Sequence, residues 1–140
     1  MQRDIDEMLA HYSTVTDGTS VLFEESFDTL CLKHGVSSHD LSHAFAREVA
    51  ERFVAGKIDF ETGDVAMNDL FWASRCSLAG FALEVFYAFE DGEGTNPRHP
   101  PGTIPCKDFT LPAVLEALAR DDQSPGPNNS FKGMPLRGTP

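Results

Sequence analysis

His39 and His43, in the run His39-Asp40-Leu41-Ser42-His43, are the residues best spaced for metal chemistry. Four residues apart on a helix, two imidazoles share one face, and a carboxylate between them can act as general base toward a metal-bound water. A second reading competes for the same residues. Ser37 followed three residues later by Asp40 has the form of a helix-start capping pair. That places His39 and Asp40 in a first turn, where Asp40 has backbone amides to satisfy. A third metal ligand would have to come from Asp59, Glu61 or Asp64, and nothing in the spacing selects one. The two histidines are therefore expected to face solvent. A small metal-binding enzyme or regulator using His39 and His43 is kept as an alternative, and no metal or other cofactor is expected.

The other chemical candidates are weaker. Asp59-Phe60-Glu61-Thr62-Gly63-Asp64 resembles a calcium loop in composition, but its glycine comes one position early and Leu70 stands where a bidentate glutamate belongs. It reads instead as an acidic link with Asp64 as N-cap. Cys31 and His34 sit three apart near a helix end, a spacing that suits packing better than nucleophilic catalysis. Phosphate-binding and nucleophile-elbow glycine patterns are absent. No enzyme is expected.

What remains is charge. Lys and Arg number 11 against 22 Asp and Glu, a net of −11. Such a chain is repelled by nucleic-acid phosphates and anionic membranes, and is suited to a basic protein partner. The acids cluster as Glu24, Glu25 and Asp28; as Glu48 and Glu51; as Asp59, Glu61, Asp64 and Asp69; and as Glu90, Asp91 and Glu93. Asp59, Glu61, Asp64, Asp69, Glu90, Asp91 and Glu93 flank the most apolar segments, so a rigid scaffold is expected to present them to a partner. Trp72 would be the anchor if exposed, although its neighbours suggest the core.

The elements that must position these groups follow from proline and periodicity. All nine prolines lie from Pro97 onward, so residues 1–94 can be continuous helix and the rest cannot. Residues 1–94 carry 6 − 18 = −12 and residues 95–140 carry 5 − 4 = +1. Helices are expected at Arg3–His11, Ser20–His34, Ser37 or Ser38 to Gly56, from Asp64 onward, and at Phe81–Phe89, the last apolar nearly all round and hence central. A Pro-rich loop spans 94–109, and Thr110 caps a final helix with Pro112 in its first turn. The expected fold is all-α: a compact bundle of five to six helices over residues 1–121, with a flexible Pro/Gly-rich tail at 122–140. Its core should hold Phe27, Phe45, Val49, Phe53, Leu70, Phe71, Phe81, Val85, Phe89 and Leu115.

Cys31, Cys76 and Cys106 form no disulfide framework, and the acid-interrupted start Met1-Gln2-Arg3-Asp4 has no signal-peptide character. A cytoplasmic protein with reduced thiols is expected. No stretch reaches the ~18 apolar residues of a membrane span.

The segment from Gly63 to Phe71, with Asp64, Met67-Asn68 and Leu70-Phe71, is followed by an aromatic helix ending in Ala88-Phe89-Glu90-Asp91-Gly92-Glu93. Over about residues 59–118 this pattern resembles small acidic bacterial proteins of the immunity type, the inhibitory partners of toxins. The chain departs from the pattern after Glu93, where Gly94 and the Pro-rich loop replace an aromatic and acidic continuation. The resemblance implies a toxin-binding inhibitor and supplies no catalytic residue. An acidic secretion chaperone or adaptor is the other binding-protein alternative.

Overall fold

The computed structural model describes residues 1–14 and 24–123, and these form six α-helices and one π-helical turn. The helices are α1 Gln2–Thr14, α2 Glu24–His34, α3 Ser38–Val54, α4 Phe60–Ala73, α5 Gly80–Asp91 and α6 Leu111–Gln123. The π-helical turn Cys106–Thr110 leads directly into α6. The all-α bundle expected from the sequence is thus the observed fold. The expected start of the second helix at Ser20 and the tail from residue 124 lie outside the described residues.

Local chemistry explains the boundaries. Ser37 Oγ accepts from the Asp40 amide at the start of α3, and Asp59 Oδ1 accepts from the Thr62 amide at the start of α4. The cap of α4 is therefore Asp59, and Asp64 lies a full turn inside the helix, contrary to expectation. Phe60, expected in the link, is the first helical residue. Helix α2 closes with Gly35 at φ 63°, the Val36 amide reaching back to the Cys31 carbonyl. Helix α4 closes in the same way on Arg75 at φ 57°, with Cys76 also left-handed at 60°. Neither is glycine, so this link holds backbone strain.

Helix α5 is central, as its composition suggests, packing on α3, α4 and α6. It runs antiparallel to α4: Gly63 near the start of α4 lies under Phe89 near the end of α5. A Cβ at Gly63 would come within 2.6 Å of the Phe89 ring. That ring is wholly buried, with Phe53 at 5.1 Å and Phe60 at 5.6 Å between centroids, so it has nowhere to go. Helix α6 is antiparallel to α5 as well. Thr110 does not cap it; its hydroxyl is fully buried and donates to the Ala88 carbonyl at 2.7 Å. The final helix reaches Gln123, past the expected boundary, and the Pro-rich loop ends before the π-helical turn.

The core contains Phe27, Phe45, Val49, Leu70, Phe81, Val85 and Phe89 as expected. Phe53 and Phe71 are only half-buried, Leu115 is 47% exposed, and Trp72 is 65% exposed. Trp72 and Leu115 each sit on the more exposed side of their helix.

His39 is exposed, but His43 is not solvent-facing; its side chain is only 14% accessible. Its Nε2 lies 2.8 Å from Asp121 Oδ1, and Arg47 Nη1 donates to Asp121 Oδ2 at 2.8 Å. Asp121 is itself buried, so this triad ties α3 to the end of α6. His43 also packs on the Phe81 ring at 5.2 Å. Asp121→Ala is expected to cost about 1–3 kcal/mol by removing the buried acceptor that His43 and Arg47 share, whereas His39→Ala should stay within about 0.5 kcal/mol of wild type. Gly63→Ala should cost roughly 1–3 kcal/mol despite its better helix propensity, through overpacking against Phe89. Urea unfolding of the three variants checks all of these values.

Candidate functional site

Helix α4 buries Gly63, Ala66, Met67, Leu70 and Ala73, the regular inner stripe of an amphipathic helix. Glu61, Val65, Asn68 and Trp72 follow one another at helical spacing on another face. On α5 the buried set is Phe81, Ala82, Val85, Phe86, Ala88 and Phe89. Tyr87 is 56% exposed, with Glu84 and Asp91, both exposed, above and below it on the helix. The rings of the two helices join. Phe71 stacks on Phe86 with centroids 4.5 Å apart and planes within 8°. Trp72 meets Phe71 edge-on at 5.4 Å, and Tyr87 leans on Phe86 at 5.7 Å. Two amphipathic aromatics are thus held outward by a stacked pair rooted in the core. Exposed Trp and Tyr on a rigid base are the usual anchors of protein interfaces.

At the other end of the α4–α5 pair three acids converge. One carboxylate oxygen each from Asp64, Glu90 and Glu93 lies within 4.8 Å of the others. Asp64 Oδ1 is buried without a hydrogen-bond partner. Burial, then a hydrogen bond and charge repulsion from Glu93, and finally the charge of Glu90, push the Asp64 carboxyl up to about 8. Burial raises Glu90 as well, helped by Glu93 and Asp91. Gly92 holds the geometry: a Cβ there would meet Thr110 Oγ1 at 2.1 Å and the Phe60 ring at 2.7 Å, so α5 ends tight against α4 and the π-helical turn. The donor set is all oxygen, a chemistry that suits hard cations, ammonium and guanidinium. Among the described residues it is the one group of His, Cys, Asp or Glu close enough to hold a metal ion, and it includes neither His39 nor His43.

The remaining expected site residues have other placements. Asp59 is the α4 cap, and the Thr62 side chain and amide hold its carboxyl below the usual range. Glu61 is exposed in the first turn of α4. Asp69 turns away to accept from the Tyr12 hydroxyl of α1. Asp91 is exposed beside Glu90, at the rim of a shallow hollow lined by Asn96, His99 and Phe109. The structure therefore brings together Asp64, Glu90 and Glu93, sets Trp72 outward on the same pair of helices, and assigns Asp59 and Asp69 to holding the fold.

Two features escaped the sequence reading. Tyr87 was legible, because Glu84 and Asp91 mark the wet stripe of α5 on which it falls. The strained link at Arg75 and Cys76, directly after Trp72, carries no such signal, since neither residue type favours positive φ. Arg75 forks onto Asp28 of α2 at 3.1 and 2.8 Å, which holds that turn.

The acid cluster costs stability in a pH-dependent way. Below about pH 4 Asp64 is protonated in both the folded and unfolded states. Between there and about pH 8 the folded chain keeps a proton that the unfolded chain has lost, so stability falls as pH rises. Asp64→Asn cannot ionise. Its Tm should match wild type near pH 4 and exceed it at pH 9 by about 3 °C or more, a figure discounted for solvent screening. Thermal unfolding of both proteins at pH 4, 6.5 and 9 tests this.

No family model matches the chain, and no curated protein and no solved structure matches it.

Proposed function

We propose that this protein is an acidic protein-binding inhibitor of the immunity type, which neutralises a basic bacterial toxin by covering its active or binding surface. The observation that carries the reading is the outer face of α4 and α5. Trp72 and Tyr87 stand exposed on a rigid aromatic base, and the carboxyl groups of Asp64 in α4, Glu90 in α5 and Glu93 just past the end of α5 gather at the other end of the same pair. A basic partner would place an apolar side chain against the rings and a lysine or arginine among the carboxylates. The net charge of −11 supports fast, steered association with such a partner and disfavours nucleic acid. No described helix is long and apolar enough to cross a membrane. Keeping a carboxyl whose ionisation is unfavourable fits a binding site better than a solvated surface. The cytoplasm, where Cys31, Cys76 and Cys106 stay reduced, is the compartment that goes with this reading.

The test is titration of this protein with each basic protein encoded by the genes that flank its own. Trp72→Ala is expected to weaken binding by roughly 30-fold, the size of an interface anchor. Asp64→Asn/Glu90→Gln/Glu93→Gln should weaken it by roughly tenfold or more, Glu90 and Glu93 through steered association at low salt and Asp64, which holds its proton in the free protein, through the cation it pairs with once the partner is bound. Glu24→Gln/Glu25→Gln serves as the control for general charge. Because the triple variant relieves repulsion, lost binding cannot be put down to unfolding. Equal and small effects from both charge sets, with Trp72→Ala silent, would sink the assignment of this face.

A further inference from the structure

Residues 124–140 carry Lys132 and Arg137 and no acid, and they hold Phe131, Met134 and Leu136 in a stretch otherwise rich in Gly, Pro and Asn. That is the chemistry just assigned to the partner: a few apolar side chains among isolated cations. The place where this segment begins is equally specific. Arg120 Nη2 lies 3.3 Å from Glu84 Oε2, so the last turn of α6 rests on the first half of α5. Trp72 is in the last turn of α4, and α4 is antiparallel to α5, so it lies at that same end. Glu84 and Tyr87 are one turn apart on α5. From Gln123 to Phe131 an extended chain reaches about 26 Å. From Glu84 to Glu90 along α5 is only about 9 Å. Phe131 can therefore reach the rings of Trp72 and Tyr87, and Lys132 and Arg137 can reach the carboxylates of Asp64, Glu90 and Glu93.

We infer that the segment Phe131–Arg137 of this chain docks on the α4–α5 face as an internal stand-in for the basic partner, and that the partner must displace it. The inference rests on the proposed role of that face. It gives an occupant to an exposed aromatic patch that would otherwise promote self-association. Charge complementarity selects the occupant: described residues 1–14 and 24–123 carry 9 basic and 21 acidic side chains, net −12, against +2 in residues 124–140. A tethered segment needs only weak intrinsic affinity, because its effective concentration is millimolar.

Trp72 is the single tryptophan of the chain, so its fluorescence reports on this contact directly. In the full-length protein, Phe131→Ala/Lys132→Glu/Arg137→Glu should move the emission maximum to the red. It should also raise acrylamide quenching roughly twofold, since a docked segment shields an exposed ring from solvent. Wild type in 0.5 M NaCl should shift the same way, because screening weakens the charge pairing. The same variant should bind the partner several-fold more tightly. Phe131→Ala alone and Lys132→Glu/Arg137→Glu alone divide the effect between ring and charge, and circular dichroism verifies the fold of each. Unchanged emission and quenching in all three variants and at both salt levels would overturn the inference. So would a shift that vanishes on dilution, which would mean contact from a second copy. If Trp72→Ala still weakens partner binding while every tail variant leaves the tryptophan signal unmoved, the docking face stands and the internal occupant fails.

Discussion

The close approach of α4 and α5 is the constraint from which the other features of this molecule follow. Gly63 has no side chain, so the buried Phe89 ring lies directly on the α4 backbone, and Phe53 and Phe60 lock that ring in place. With the helices this near, Phe71 and Phe86 meet as a flat stack, and Trp72 and Tyr87 have only the outside left to them. The same closeness draws the start of α4 to the end of α5 and presses Asp64 against Glu90 and Glu93. The aromatic face and the acidic cluster are two results of one helix spacing.

The basic residues make the acidic cluster more telling. Arg47 serves Asp121, Asp122 and Glu51. Arg52 serves Glu48 and Asp6, Arg75 serves Asp28 and Glu24, and Arg120 serves Glu84 and Glu116. Each of these four arginines reaches an acid on another element, so they help to hold the bundle together. The groups that act on Asp64 are themselves carboxylates. A chain with twice as many acids as bases has four of its arginines at the junctions between elements and leaves repulsion at one end of the α4–α5 pair. Repulsion of that kind is relieved by a cationic group brought from elsewhere, whether from a partner or from the basic end of this chain.

Much of the architecture was legible because it depends on local rules. Proline confined to the last third left the first two thirds free to be helical, and Ser37 before Asp40 marked the start of α3. The apolar run from Phe81 to Phe89 marked a central helix, since only burial on several sides suits it. The misplacements have a common cause. Asp59 and Asp64 are both plausible caps, and only the path of the chain after Ile58 chooses between them. Thr110 looks like a cap by type, but its hydroxyl is drawn to a carbonyl of α5, twenty-two residues away.

The same distinction divides the candidate site. Residue type and helical spacing were enough to name Asp64, Glu90, Glu93 and Trp72, because acids beside apolar helices must sit at their edges and ends. Whether those acids would meet, and which way the indole would point, depended on how two helices cross. Trp72 belongs to an apolar neighbourhood in the sequence, and hydrophobicity alone would bury it. It is outside because Gly63, Ala66, Met67, Leu70 and Ala73 already fill the inner stripe of α4, and a helix has only one face to give to α5. His43 shows the converse: a polar residue expected in water is held inward by Asp121, a partner 78 positions away that no local pattern can supply. Periodicity fixes which residues share a face, but it is packing between faces that decides which of them are covered.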